Sequence, residues 1–194
     1  MNITGLKAKP VSAQGEFPVG SLSWADVKET SSEHALGIKS ATAPGGLNIF
    51  SAGKNGIRVW DSQTGSSTEL VGSDSAGGLV HLLKAVGRDA LWACLTDGRI
   101  HVFDAATGEA RHKFSGHNGD ITSIACDAAG SVVFTGGADF QVKAWSPSGQ
   151  ALGCGSHHHG AVDAMVVPEG GDELWTGSAD ASVCIIPKHG RQTE

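Results

Sequence analysis

No stretch of this 194-residue chain approaches the roughly 20 apolar residues that a membrane-crossing helix needs. The first 30 residues hold Gly15, Glu16, Pro18 and Asp26 but no apolar run, so no secretory leader is legible there. No basic cluster stands out, and the net charge is −6. Both facts argue against nucleic acid, whose binding relies on Lys and Arg neutralising phosphates. They argue equally against an anionic membrane surface. Cysteine is sparse: four residues, at 94, 126, 154 and 184, none in a Cys-x-x-Cys pair, which disfavours a zinc knuckle. Cys94 and Cys184 fall inside predicted strands, where a free thiol serves as a small hydrophobe. The expectation is a reduced protein of the cytoplasm or nucleus. A Gly-rich phosphate loop, a nucleophile elbow and paired carboxylates at metal spacing are all missing from the sequence. No cofactor, no metal and no catalytic activity are expected.

Glycine is abundant, at 28 residues, as many short strands joined by tight turns require. Four segments share one pattern: Ile57–Asp61, Ile100–Asp104, Val142–Ser146 and, more faintly, Val183–Pro187. Their anchors Trp60, Phe103, Trp145 and Ile186 are spaced 43, 42 and 41 residues apart. A strand-built period near that value marks a β-propeller blade of about 40–45 residues. The expected fold is therefore all-β, with four recognisable blades.

The units align column by column. Inner strands are expected at Leu47–Ala52, Ala90–Cys94, Val132–Gly136 and Glu173–Gly177. Each carries a large residue (Phe50, Trp92, Phe134, Trp175) preceded by an apolar one (Ile49, Leu91, Val133, Leu174). Neighbours along a strand point to opposite faces, so both faces are buried, as in stacked blades. Asn55-Gly56 and Asp97-Gly98 then predict hairpins of type I′, with both central residues at positive φ. Asp139-Phe140 and Asp180-Ala181 occupy the same place in the later units. A second turn runs from Asp61 to Gly65, Asp104 to Gly108 and Ser146 to Gly149, with the acceptor first and glycine last. Outer strands are expected at Arg111–Phe114 and Gln150–Gly153.

The third unit resembles one complete WD repeat. It has Gly116-His117, the strand at Ile121–Ile124, Thr135-Gly136-Gly137-Ala138-Asp139 and the Trp145 strand, in order and at family spacing. The resemblance covers about residues 34–187. It implies that His117, Thr135, Asp139 and Trp145 form a structural hydrogen-bond chain from indole through hydroxyl and imidazole to carboxylate, and not a catalytic triad. Buried polar groups of these kinds cost a few kcal/mol each unless paired. The first unit nearly keeps the set, with His34, Ser51 and Trp60. The fourth has His158, Thr176 and Asp180 but Ile186 in the Trp column. The second has Ser75, Ala93 and Phe103 and must rely on apolar packing.

His157-His158-His159 looks like a metal run, but one of the three is needed in the structural column and consecutive residues point different ways. Phe140, on a hairpin tip, is either a partner anchor or a plug folded onto a neighbouring loop, and it leads the contact candidates because aromatics dominate binding hot spots. Arg99, Lys54 and Asn118 follow as loop residues expected at the same rim.

The expected organisation is an N-terminal segment, 1–30, four repeats at about 31–70, 71–114, 115–155 and 156–187, and a tail at 188–194. Residues 20–27 alternate plausibly and could supply the last unit's outer strand, which is the closure the resemblance implies. A closed four-bladed ring, a piece of a larger propeller and an eight-bladed ring of two copies all remain open. An open array would leave one sheet face uncovered, an aggregation hazard. The expected function is a non-catalytic WD-repeat scaffold for other proteins or peptides, with self-association if the ring is incomplete. The alternative is the propeller region of a larger enzyme. Leu91-Trp92 and Leu174-Trp175 are similar to repeats of plant-type inositol polyphosphate 5-phosphatases, whose catalytic region is not present.

Overall fold

A computed structural model describes residues 38–42, 48–53, 56–61, 63–76 and 78–188. Four antiparallel sheets follow one another along the chain. The first holds β1 (Ile38–Thr42), β2 (Asn48–Gly53), β3 (Gly56–Asp61) and β4 (Ser67–Gly72). A single helical turn, α1 (Ser73–Ala76), leads into the second: β5 (Val80–Val86), β6 (Ala90–Leu95), β7 (Arg99–Asp104) and β8 (Ala110–Ser115). The third holds β9 (Ile121–Cys126), β10 (Val133–Gly137), β11 (Val142–Trp145) and β12 (Ala151–Gly155). The fourth has three strands among the described residues: β13 (Val162–Val166), β14 (Glu173–Ser178) and β15 (Val183–Pro187). Residues 20–27, expected to complete it, lie outside the described residues, as do His34, Lys54 and Asn55.

The strands read as inner are β2, β6, β10 and β14, and each is second in its sheet. The first strands lie further in: β1 packs on β5, β5 on β9 and β9 on β13. Two-sided burial suggested the innermost place, but stacking of whole sheets buries the second strand on both sides as well.

Stacking produces three cores, one at each junction. Phe50 and Ile57 meet Leu83, Leu91 and Phe103 between the first and second sheets. Trp92, Ile100 and Val102 meet Ile121, Val133 and Trp145 between the second and third. Phe134 and Val142 meet Val162 and Leu174 between the third and fourth. Each blade thus has a front face toward the preceding blade and a back face toward the next. The Leu91-Trp92 pair serves both: Leu91 points forward and Trp92 back, and both are wholly buried. Among the described residues the Trp92 indole N–H has no hydrogen-bond partner, so this side chain acts as apolar bulk, edge-on to Phe114 at 5.8 Å.

The turns differ from expectation in one respect. Asp97, Asp139 and Asp180 keep negative φ, and only the following residue is left-handed: Gly98 at 82°, Phe140 at 66°, Ala181 at 67°. The amides of these residues donate to Leu95, Gly137 and Ser178 carbonyls, closing an ordinary four-residue turn before the left-handed residue. That is the longer hairpin connection, not type I′. The aspartate stays useful because its carboxylate accepts the amide two residues on, from Arg99, Gln141 or Ser182. The second set of turns follows the same logic: Asp61 accepts from the Gln63 and Thr64 amides, and Asp104 from those of Ala106 and Thr107.

Candidate functional site

Three segments converge on one rim of the stack. They are the β6–β7 hairpin at 96–98, the β8–β9 loop at 116–120 and the β10–β11 hairpin at 138–141. The amides of Gly116 and His117 donate to the Gly98 carbonyl at 2.8 and 3.0 Å. The Asn118 amide donates to the Asp139 carboxylate at 3.0 Å. Gly98 is required here, since a Cβ would lie 2.2 Å from the His117 carbonyl oxygen and the backbone is already left-handed. The fourth blade repeats the joint: the His159 amide donates to Asp180 at 2.7 Å.

Beneath the rim runs the polar chain of the third blade. Trp145 Nε1–H donates to Thr135 Oγ1 at 2.8 Å. Thr135 Oγ1 lies 2.8 Å from His117 Nε2, and His117 Nδ1 lies 2.8 Å from Asp139 Oδ1. The Asp139 carboxylate can only accept, so the neutral imidazole carries its proton on Nδ1 and its Nε2 accepts from the Thr135 hydroxyl, whose oxygen accepts from the indole. Burial holds the His117 imidazole below the usual histidine range, against the pull of Asp139. Burial alone would raise the Asp139 carboxyl, but hydrogen bonds from the Asn118 amide and His117 outweigh it, and the group is held low. A hydroxyl, an imidazole and a carboxylate in line suggest a nucleophile. Thr135 is wholly buried, however, and its oxygen already faces an indole and an imidazole. No substrate carbonyl can approach it.

The fourth blade builds a variant that the sequence did not reveal. His158 Nε2 meets Thr176 Oγ1 at 2.8 Å, but its Nδ1 meets Ser182 Oγ at 2.9 Å, with Asp180 behind at 3.4 Å. Ser182 in turn bonds Asp180, which holds that carboxyl well below the aspartate range. The three consecutive histidines part company. His158 turns inward, His157 lies over Gly155, and His159 is exposed. In the first blade Trp60 Nε1–H donates to Ser51 Oγ at 2.6 Å. In the second, Ala93 and Phe103 fill the columns with buried apolar groups.

Of the four candidate contact residues, three lie on the rim. Phe140 stands at a hairpin tip and is 43% exposed. Asn118 is exposed beside it. Arg99 is tied to Asp97 at 2.5 Å, which lowers the Asp97 carboxyl and raises the guanidinium. Lys54 lies outside the described residues. Sequence reasoning missed His81, whose Nδ1 meets Asp120 at 2.9 Å and links β5 to the rim loop. It also missed a groove of about 440 Å³ between the third and fourth blades, lined by Phe134, Ala144, Leu174 and Ile186.

A family model described as WD domain, G-beta repeat, matches residues 108–146, the span that holds His117, Thr135, Asp139 and Trp145. Residues 108–146 thus carry a WD repeat. The chain is 39% identical over 83 residues to a Medicago truncatula protein named for an E3 ubiquitin-protein ligase, LIN. That match spans 42% of this chain and 6% of the relative. It is 35% identical over 88 residues to a guanine nucleotide-binding protein subunit beta of Saccharomyces cerevisiae, spanning 45% of this chain and 21% of the other. The matches thus span about a fifth or less of these relatives. Among solved structures, the computationally designed Ika4 protein superposes with a TM-score of 0.70 at 24% identity, over 81% of this chain and 95% of its own. The designed Ika8 protein superposes with a TM-score of 0.66 at 25% identity, over 77% of this chain and 45% of its own. Both are β-propeller proteins, and the WD-repeat chain shares that fold.

Proposed function

We propose that this WD-repeat chain is a non-catalytic scaffold that holds another protein or peptide at the rim formed by residues 96–99, 116–120 and 138–141. The observation that carries the reading is Phe140. At the matching turn position the first two blades have Gly56 and Gly98, whose positive φ is free of strain. Phe140 holds that left-handed conformation with a large ring and leaves it 43% exposed. A left-handed non-glycine costs about 1–2 kcal/mol, and an aromatic kept there in water suits a contact anchor. Asn118 adjoins it through the bond of its amide to Asp139, and Arg99 and Lys54 are proposed as further contacts. The yeast relative, by name a subunit of a larger assembly, supports the scaffold class.

Phe140→Gly separates function from folding. It removes the ring and relieves the backbone, so stability should rise by about 1 kcal/mol. Proteins captured by the wild-type chain should be lost by this variant. Undiminished capture would overturn the assignment of the rim.

A further inference from the structure

The four blades carry two uncovered faces, at opposite ends of the stack. The back-face columns read Phe50, Trp92, Phe134, Trp175 and Ile57, Ile100, Val142, Val183. In the first three blades all six residues are buried. In the fourth, Trp175 is 41% exposed and Val183 66%, and Ile185, paired with Trp175 across the strands, is 49% exposed. These are core residues by type and register, and no described blade covers them. At the other end, the front-face column reads Ile49, Leu91, Val133, Leu174. The last three are wholly buried, whereas Ile49 is 38% exposed. At every existing junction the back column meets this front column: Phe50 with Leu91, Trp92 with Val133, Phe134 with Leu174.

Among the described residues the two faces do not meet within one chain. β1, β5, β9 and β13 pack in succession, but no comparable packing joins β13 back to β1 among the described residues. The superposition on Ika8 lays 77% of this chain along 45% of a longer propeller chain, so the same succession of blades is compatible with a larger ring.

We propose that a second copy of this chain completes the ring, head to tail. The back face of the fourth blade in each copy receives the front face of the first blade of the other, with Trp175 and Val183 seated on the partner's Ile49. Both junctions are then alike, and the pair closes on itself without leaving a free end. Burying three large apolar side chains per junction supplies the driving force.

The test is solution mass by light scattering on the 194-residue chain. The expected result is a particle of twice the 19.8 kDa chain mass. Trp175→Glu and Ile49→Glu should each convert it to a monomer with unchanged far-ultraviolet circular dichroism. Mixing the two variants should restore part of the paired species, because one of the two junctions then has both wild-type faces. Val183→Lys, on the same face, serves if Trp175→Glu does not fold. A wild-type monomer would overturn the proposal, since it would mean closure within one chain or a face reserved for another protein. So would a pair that survives all three substitutions, or a polymer of many copies.

Discussion

The third and fourth blades have nearly the same sequence pattern and unequal surroundings. In the third, Trp145 hydrogen-bonds Thr135 and lies 5.0 Å from the Phe114 ring of the preceding blade. The fourth has Ile186 where Trp145 stands. The preceding blade offers Gly155 where Phe114 stands, since Ile100 pairs with Phe114 and Val142 with Gly155. Both aromatics are gone from one junction, and the 440 Å³ groove is the space they leave. On the opposite face, Phe134 is buried by the fourth blade while Trp175 has no described blade behind it. A repeat's stability therefore depends on its neighbours as much as on its own residues, as in other stacked-repeat proteins.

The largest expected difference comes from the polar chains. Thr135→Val leaves both the Trp145 N–H and His117 Nε2 unpaired in a buried place and should cost about 3 kcal/mol. Thr176→Val orphans His158 Nε2 without any indole and should cost about half as much. Urea denaturation of the two variants measures the gap, and equal costs would mean that the indole hydrogen bond adds nothing. Ile186→Trp works in the other direction. The ring would extend into the groove and its N–H could reach Thr176, so a gain of about 1 kcal/mol is expected. A loss would mean that the groove is too narrow for the third blade's solution.

The smallest effect is pH dependence, expected in the third blade. The unfolded chain takes up a proton on His117 as pH falls through about 6.5. Burial keeps the folded imidazole neutral to lower pH. The unfolded state binds that proton first, so stability falls as pH drops below 6.5. Asp139 acts lower still: its contribution is present above the ordinary aspartate value and disappears as pH falls through its depressed folded value. Denaturation midpoints between pH 7.5 and 5.5 should fall in the wild type and fall less in His117→Gln. Equal slopes would assign the dependence to other histidines.

Much of this was legible from spacing alone. The repeat of Trp60, Phe103, Trp145 and Ile186 placed the third strand of every blade, and Asp–Gly pairs placed the turns, because strand alternation and left-handed backbone are local requirements. The His117–Thr135–Asp139–Trp145 column was legible through the resemblance to a WD repeat, and the need of each buried polar group for a partner gives the physical reason for it. Ser182 escaped notice, since a serine beside an aspartate in a turn looks like an ordinary turn residue. His81 escaped because its partner, Asp120, belongs to the next blade. The Leu-Trp pairs were read only for their similarity to phosphatase repeats, and their physical role, packing on two faces of one strand as Leu91-Trp92 does, came from the structure.

Periodicity and turn chemistry, both properties of neighbouring residues, were enough to dictate strands, hairpins and the four-blade count. Which faces are covered was settled only by the stacking of sheets. Trp92 and Trp175 occupy the same column and satisfy the same local rules, but one is wholly buried and the other is 41% exposed. Burial belongs to the space between blades, and a residue's own segment carries no record of what lies across it.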